Sequence, residues 1–445
     1  TRKNKRTMNL LFNNITVLPM TASLADEEKY FEASVGVQGK RITMVTRDAD
    51  EVARFREACC GDLREVDGRG KLLMPGLINT HCHVAMTLMR GYADDIQLME
   101  WLNDYIWPYE ALIDRNDVQL GAELGIVEML RGGVTTFVDM YWYEEAVADA
   151  AEKLGIRAVL SPCFVDARME AFEEDLPATV AKAAKCDRLS VMIAPHAPYS
   201  CSEANLRRAA ELSEEYGLPI TIHLAETHDE ERQIRERYGC SPVEMIDGFG
   251  LLKEGTIAAH CVHLSDSDRR TLLERGVSVA HNPQSNMKIS SGVSPVATLL
   301  SEGVNVTIAT DGPCSNNDLD MWEEMRSASF LQKLSAGDPC VIPAYELLRM
   351  ATVGGAKAIG RGDELGQIKE GMLADVIVLD MEKPHLYPRY DVVANLAYAA
   401  KASDVDMVVV NGEVLVDGGD VLGVDEMDLC RRVEKRAKEL DAMVK

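Results

Sequence analysis

Eight short apolar runs alternate with longer amphipathic stretches between Leu73 and Ala309, and strand-like segments with turn residues gather at both chain ends. These two observations predict an α/β fold: a (β/α)8 TIM barrel carrying a small β-sandwich domain formed by both chain ends. The length of 445 residues agrees, being too long for one small core and suited to a barrel plus a smaller domain. The expected division is 8–70 for the N-terminal part of the sandwich, 71–360 for the catalytic barrel, and 361–445 for the rest of the sandwich with a terminal helix.

Taken in order, Leu10–Leu18, Glu32–Gln38 and Ile42–Thr46 read as the opening strands. The barrel runs are Leu73–Ile78, Thr135–Asp139, Ala158–Val165, Ser190–Ala194, Ile220–Leu224, Thr256–Ala259, Val277–Ala280 and Val304–Ala309. Helical patterns precede several of them, at Ala146–Leu154, Glu203–Glu215, Ser265–Arg275 and Val296–Glu302. A glycine follows each of these helices or opens the next strand, as at Gly155, Gly217, Gly276 and Gly303, where a left-handed residue ends a helix. After about Arg361 the strands return at Gly366–Ile368, Ala374–Leu379, Val408–Val410 and Gly412–Val416, and Asp428–Met443 reads as a closing helix. No internal repeat or low-complexity segment interrupts this order.

Composition narrows the function. Hydrophobic residues at 47% and charged residues at 27% are ordinary for a soluble enzyme. A net charge of −25 argues against nucleic acid or an anionic membrane as partner, since both repel an acidic surface. A small-molecule substrate is the expected partner, and a homo-oligomer is compatible with the sequence although no stretch marks an interface. The 11 cysteines are scattered without a C-x-x-C pair, as expected of reduced thiols in a cytoplasmic protein. Neither a signal peptide nor a bilayer-spanning apolar run is legible, and the opening Thr1–Arg6 is simply basic.

The histidines carry the chemistry. Of 9 in the chain, His81, His83, His196, His223, His260 and His281 fall at or just past the end of a predicted barrel strand. In such a barrel that end is the active-site face. Any one of them alone reads more simply as a hydrogen-bonded structural histidine; six on one rim do not. In His81-Cys82-His83 the spacing of two puts both imidazoles on one face of a strand, where they reach one ion. His223 adds a third nitrogen, and Asp311, ending the eighth strand beside the first, adds a carboxylate. Three His and one Asp suit Zn2+, with Fe2+ as the alternative. The fourth strand, Val191-Met192-Ile193-Ala194-Pro195-His196, holds no Lys to bridge a second ion, so one divalent metal is expected. Glu226, three residues past His223, is placed to deliver a proton to a ring nitrogen, its alternative being a solvated carboxylate at a helix start. His260 and Asp311 are placed to orient and deprotonate the attacking water.

Met74-Pro75-Gly76-Leu77-Ile78-Asn79-Thr80-His81-Cys82-His83 resembles the metal-binding signature of the amidohydrolase superfamily. Met89–Asp95, Trp101-Leu102 and Ile106–Glu110 resemble its subgroup acting on adenosine-type and triazine substrates, as do His223–Thr227, Ala259–His263, His281-Asn282-Pro283 and Thr310-Asp311-Gly312. The similarity runs from about residue 9 to 420 and is greatest to the 5-methylthioadenosine/S-adenosylhomocysteine deaminases. It implies that His81, His83, His223 and Asp311 are metal ligands and that Glu226, His260 and Asp311 are catalytic. It further implies that Glu110 binds ribose hydroxyls and that His196 contacts the sugar side, with Glu226 and Asp311 also touching substrate. Trp101 and Trp107 read as structural tryptophans in preference to pocket walls. One departure stands out: Pro162 occupies a position where relatives that take S-adenosylhomocysteine carry an arginine for its carboxylate, and Arg168 stands for a second one. The expected substrate is therefore a neutral 5′-substituted adenosine such as methylthioadenosine or 5′-deoxyadenosine. Triazine chlorohydrolysis, or deamination of another heterocycle, keeps the same site with a different substrate; a non-catalytic scaffold leaves Glu226 and His260 without purpose.

Overall fold

The computed structural model describes residues 9–59 and 61–444; the basic opening Thr1–Arg6, the boundary at residue 8 and Cys60 lie outside them. Five strands begin the chain: β1 (Asn9–Val17), β2 (Phe31–Gln38), β3 (Arg41–Thr46), β4 (Leu63–Asp67) and β5 (Lys71–Pro75). The middle of the chain contributes β6 (Leu77–Cys82), β7 (Val134–Asp139), β8 (Arg157–Leu160), β9 (Cys163–Phe164), β10 (Leu189–Val191), β11 (Ala194–Pro195), β12 (Thr221–Leu224), β13 (Ile257–His260), β14 (Ser278–His281) and β15 (Asn305–Ile308). Four more close it: β16 (Val376–Asp380), β17 (Val405–Val410), β18 (Glu413–Asp417) and β19 (Asp420–Val421).

Both chain ends build one sheet, in the order β19-β18-β17-β16-β5-β1-β2-β3, with β4 also paired to β1. Its alternating apolar residues, among them Leu10, Phe12, Val35, Val37, Val376 and Val378, form a core of their own. The middle strands pair in parallel as β6-β7-β8-β10 and β12-β13-β14-β15. Single parallel bridges Ile193↔Ile220 and Cys82↔Asp311 connect the two sets at their edges. β6, β7, β8, β12, β13 and β14 are buried along their whole length, which is why they read as continuous apolar runs without alternation.

Several expectations need correction. The run Leu73–Ile78 is split at Gly76: β5 pairs with β1 and β16, and only β6 pairs with β7. A Cβ at Gly76 would lie 2.1 Å from the Thr135 side chain, so glycine is required at this crossing. Ala158–Val165 is interrupted around Pro162, which has no N–H for the ladder, and Ser190–Ala194 is likewise divided into β10 and β11. Gly366–Ile368 forms no strand; Gln367 Nε2 and the Ile368 amide donate instead to the Met20 and Pro19 carbonyls. The helix Ala49–Ala58, capped by Asp48, and β4 were not legible from periodicity. The closing helix runs over Glu426–Val444. Among the described residues no helix is long and apolar enough to cross a membrane.

Candidate metal centre

β6 carries His81 just before its last residue, Cys82, and His83 follows it; β12 carries His223, β13 ends in His260, and Asp311 lies just past β15. These ends meet because β6 and β15 are tied by side chains as well as by the Cys82↔Asp311 bridge. Asn79 Nδ2 donates to Thr310 Oγ1 at 2.8 Å, the Thr310 amide donates to Asn79 Oδ1 at 3.1 Å, and Thr80 shares a hydrogen with Thr307 at 2.6 Å. Asp311 adopts a left-handed backbone (φ 61°), with its amide donating to the His81 carbonyl at 3.1 Å. Such strain persists only where the surroundings hold it.

Ligand atoms of His81, His223, His260 and Asp311 all lie within 4.8 Å of one another. His83 joins them, its Nε2 lying 3.2 Å from Asp311 Oδ1 and 3.3 Å from His223 Nε2. The outer nitrogens fix the tautomers. His83 Nδ1 donates to the Met140 carbonyl at 2.6 Å and His223 Nδ1 to the His196 carbonyl at 2.7 Å, which turns both Nε2 atoms inward. Ser285 and Ser315 donate to Asp311 Oδ2 at 2.6 and 2.8 Å, so the other carboxylate oxygen is the one turned to the histidines. His81 is fully buried with neither ring nitrogen hydrogen-bonded. An orphaned imidazole beside inward ring nitrogens and an anionic oxygen is a donor set that fits a divalent cation.

The electrostatics agree. Burial lowers His81 to about 4 and His223 well below the usual imidazole range, so both lone pairs are free at neutral pH. Burial also opposes charge on His83, yet Asp311 outweighs it and raises that ring to about 9. Asp311, against its own burial, is held well below the carboxylate range by His81 and His83. In the metal-free protein the Asp311 carboxylate is therefore paired with a protonated His83, and a bound cation would displace that proton.

One cavity adjoins these groups. His83, His196, His223, Glu226, His260 and Asp311 line it together with Glu110, Tyr141, Trp142, Trp101 and Trp107. Glu226 Oε1 is 4.0 Å from His260 Nε2. His260 Nδ1 faces Asn286 Oδ1 at 2.9 Å. His196 is held by Ser200 at 2.8 Å. Arg168 is not among the lining residues; its guanidinium stacks on Trp142 at 4.4 Å, one side chain behind the wall. Trp101 and Trp107, read from the sequence as structural, both face the cavity. Sequence reasoning missed Tyr141 and Trp142, whose buried Oη and Nε1 face the Glu110 carboxyl. They follow β7, and the Asp139-Met140-Tyr141-Trp142 stretch at a strand end was the available signal.

Residues 72–415 match the Amidohydrolase family, and the chain belongs to it. It is 43% identical over 436 residues to the 5-methylthioadenosine/S-adenosylhomocysteine deaminase of Pelotomaculum thermopropionicum, covering 97% of this chain and 99% of that protein. It is 42% identical over 441 residues to the 5′-deoxyadenosine deaminase of Methanosarcina mazei, covering 98% and 99%. An adenosine deaminase from Xanthomonas campestris, solved with bound zinc, superposes with a TM-score of 0.90 at 33% identity over 97% of this chain and 98% of that one. An atrazine chlorohydrolase from Arthrobacter aurescens, complexed with zinc, gives 0.84 at 22% identity over 97% and 99%, a likeness of fold alone.

Proposed function

We propose that this protein is a metal-dependent hydrolytic deaminase of adenosine-type nucleosides, replacing the 6-amino group with oxo and releasing ammonia. The observation that carries this reading is one cavity lined by a His–Asp centre, by Glu226 and His260, and by Glu110. One divalent ion, zinc in preference to iron, would be held by His81, His83, His223 and Asp311, with His260 near enough to share the site. When bound, it would make water nucleophilic at neutral pH. Glu226 delivers a proton to the ring nitrogen beside C6. His260 and Asp311 orient the attacking water and take one of its protons, which leaves with the amine; the other returns to Glu226 as the C6 hydroxyl becomes oxo. Glu110 accepts from the ribose hydroxyls, as a carboxylate does well, and His196 borders the sugar.

The near-full-length similarity to deaminases of 5-methylthioadenosine, S-adenosylhomocysteine and 5′-deoxyadenosine supports the nucleoside class. Pro162 in place of an arginine supports a neutral 5′ substituent, and Arg168, stacked on Trp142, is a cation beside the wall that would meet a tail. We read the parallel strands, joined at Ile193↔Ile220 and Cys82↔Asp311, as a (β/α)8 barrel over 71–360, with the chain ends 8–70 and 361–445 forming the smaller β domain. Free thiols at all ten described cysteines support a cytoplasmic setting.

The test is ammonia release from a panel of adenosines, triazines and pterins by zinc-loaded protein. Turnover of methylthioadenosine or 5′-deoxyadenosine is expected; silence on every adenosine overturns the nucleoside reading, and equal kcat/KM for S-adenosylhomocysteine overturns the neutral-tail preference. His83→Ala is expected to lose the metal along with activity, measured by elemental analysis.

A further inference from the structure

Glu226 leaves β12 through Ala225, whose backbone is left-handed (φ 52°). The amides of both residues donate to one carboxylate: Ala225 N–H to Glu230 Oε1 at 2.9 Å and Glu226 N–H to Glu230 Oε2 at 2.8 Å. The Ala225 carbonyl, at the other end of the same peptide unit, accepts from the amides of Val262 and His263, both at 2.9 Å. Those two residues belong to the turn leaving His260, which is itself left-handed at His260 and Cys261 (φ 71° and 47°). The peptide carrying Glu226 is therefore held at its oxygen by the His260 turn and at its nitrogen by Glu230.

Glu230 is 1% exposed and sits in the first turn of the helix His228–Tyr238. Its place there does not explain its contacts. Thr227 already caps this helix, accepting from the Glu230 amide. A glutamate at this position ordinarily reaches back to the amide of the cap residue; this one reaches past Thr227 to the two amides before it. Two acceptor oxygens match two donors that would otherwise be buried unpaired at a strained turn.

We propose that Glu230 is a positioning residue: its carboxylate clamps the Ala225–Glu226 turn and sets the Glu226 carboxyl in register with His260. This rests on Glu226 as the proton carrier. A shift of about 1 Å in such a group costs on the order of 100-fold in rate.

The test uses full-length, metal-loaded protein and a 5′-substituted adenosine. Glu230→Gln offers one acceptor to two amides. It is expected to lower kcat on the order of 100-fold, with KM within about threefold and metal content per chain as in the parent. Glu226→Gln/Glu230→Gln is expected to be no slower than Glu226→Gln alone, because the one acts through the other. Ile234→Ala, buried on the same helix and making none of these bonds, is expected to lower Tm with kcat within about twofold of the parent. If Glu230→Gln does not accumulate folded, Glu230→Asp carries the same expectation, its shorter arm being unable to span both amides. Parental kcat in the Glu230 variant, or a loss that multiplies on top of Glu226→Gln, overturns the proposal. Parental turnover by Glu226→Gln itself would instead overturn the reading beneath it.

Discussion

Burial holds the Glu226 carboxyl above the usual carboxylate range, Asp311 adding to the shift while His260 and His83 oppose it. A carboxyl that delivers a proton must carry one, so kcat/KM is expected to fall on the alkaline side as Glu226 ionises. Glu226→Gln should keep its metal and lose turnover on the order of 100-fold to 10,000-fold. A pH–rate profile and elemental analysis check both; a variant with parental turnover contradicts the role. His281 makes a second prediction. It is fully buried with neither ring nitrogen bonded, and burial lowers it from 6.5 to about 3. Below pH 6.5 the unfolded chain takes up a proton that the folded chain refuses until about pH 3. Stability is therefore complete above 6.5 and declines as pH falls toward 3, by roughly 1.4 kcal/mol per pH unit for this group. His281→Leu should make the acid-side decline of unfolding free energy shallower by that amount, read by urea denaturation of chelated protein at pH 7 and 5.

At the scale of elements, the segment Val84–Met89 that leaves His83 packs against the helix Arg115–Arg131 and, less extensively, against the closing helix Glu426–Val444. Asp139 Oδ1 accepts from the Val84 amide at 2.6 Å and pins its start. The helix comes close only because two of its residues are glycines: a Cβ at Gly121 would lie 2.4 Å from the Ala85 carbonyl, and one at Gly125 2.6 Å from Val84. Read locally, glycines within a helix only weaken it; here they set how near it approaches the metal centre. Gly121→Ala is expected to cost about 1–3 kcal/mol through overpacking and to lower metal content by moving His83. Unfolding curves and elemental analysis at the parental values would contradict this.

Across the whole molecule, the sheet built from the chain ends is joined to the parallel strands by a buried ion pair. Arg157 on β8 meets Asp375 with Nε and Nη2 at 2.9 and 3.1 Å, and both side chains are nearly inaccessible. Asp375 also accepts from the Asn411 amide at 2.7 Å, while Arg157 donates to the Asp187 carbonyl at 3.0 Å. Asp375→Ala leaves a buried guanidinium unpaired and is expected to cost roughly 3–5 kcal/mol. Arg157→Leu/Asp375→Leu should cost less than that single change, because no charge is left behind; denaturation of both variants checks the order.

By itself the amino-acid sequence determined the parallel strands as apolar runs, the strand-end placement of His81, His83, His223, His260 and Asp311, and the family. Those signals are local: burial on both faces makes a strand uniformly apolar, and a spacing of two fixes a common face. The division at Gly76, the loop at Gly366–Ile368, the stacking of Arg168 on Trp142 and the approach of Tyr141 and Trp142 to Glu110 were decided only in three dimensions. So were the Asn79–Thr310 tie that brings Asp311 to His81 and the Glu230 clamp on Glu226. Each depends on which distant strand end or loop arrives opposite, and that is settled by the packing of the whole chain, because no local periodicity records a partner far away in sequence.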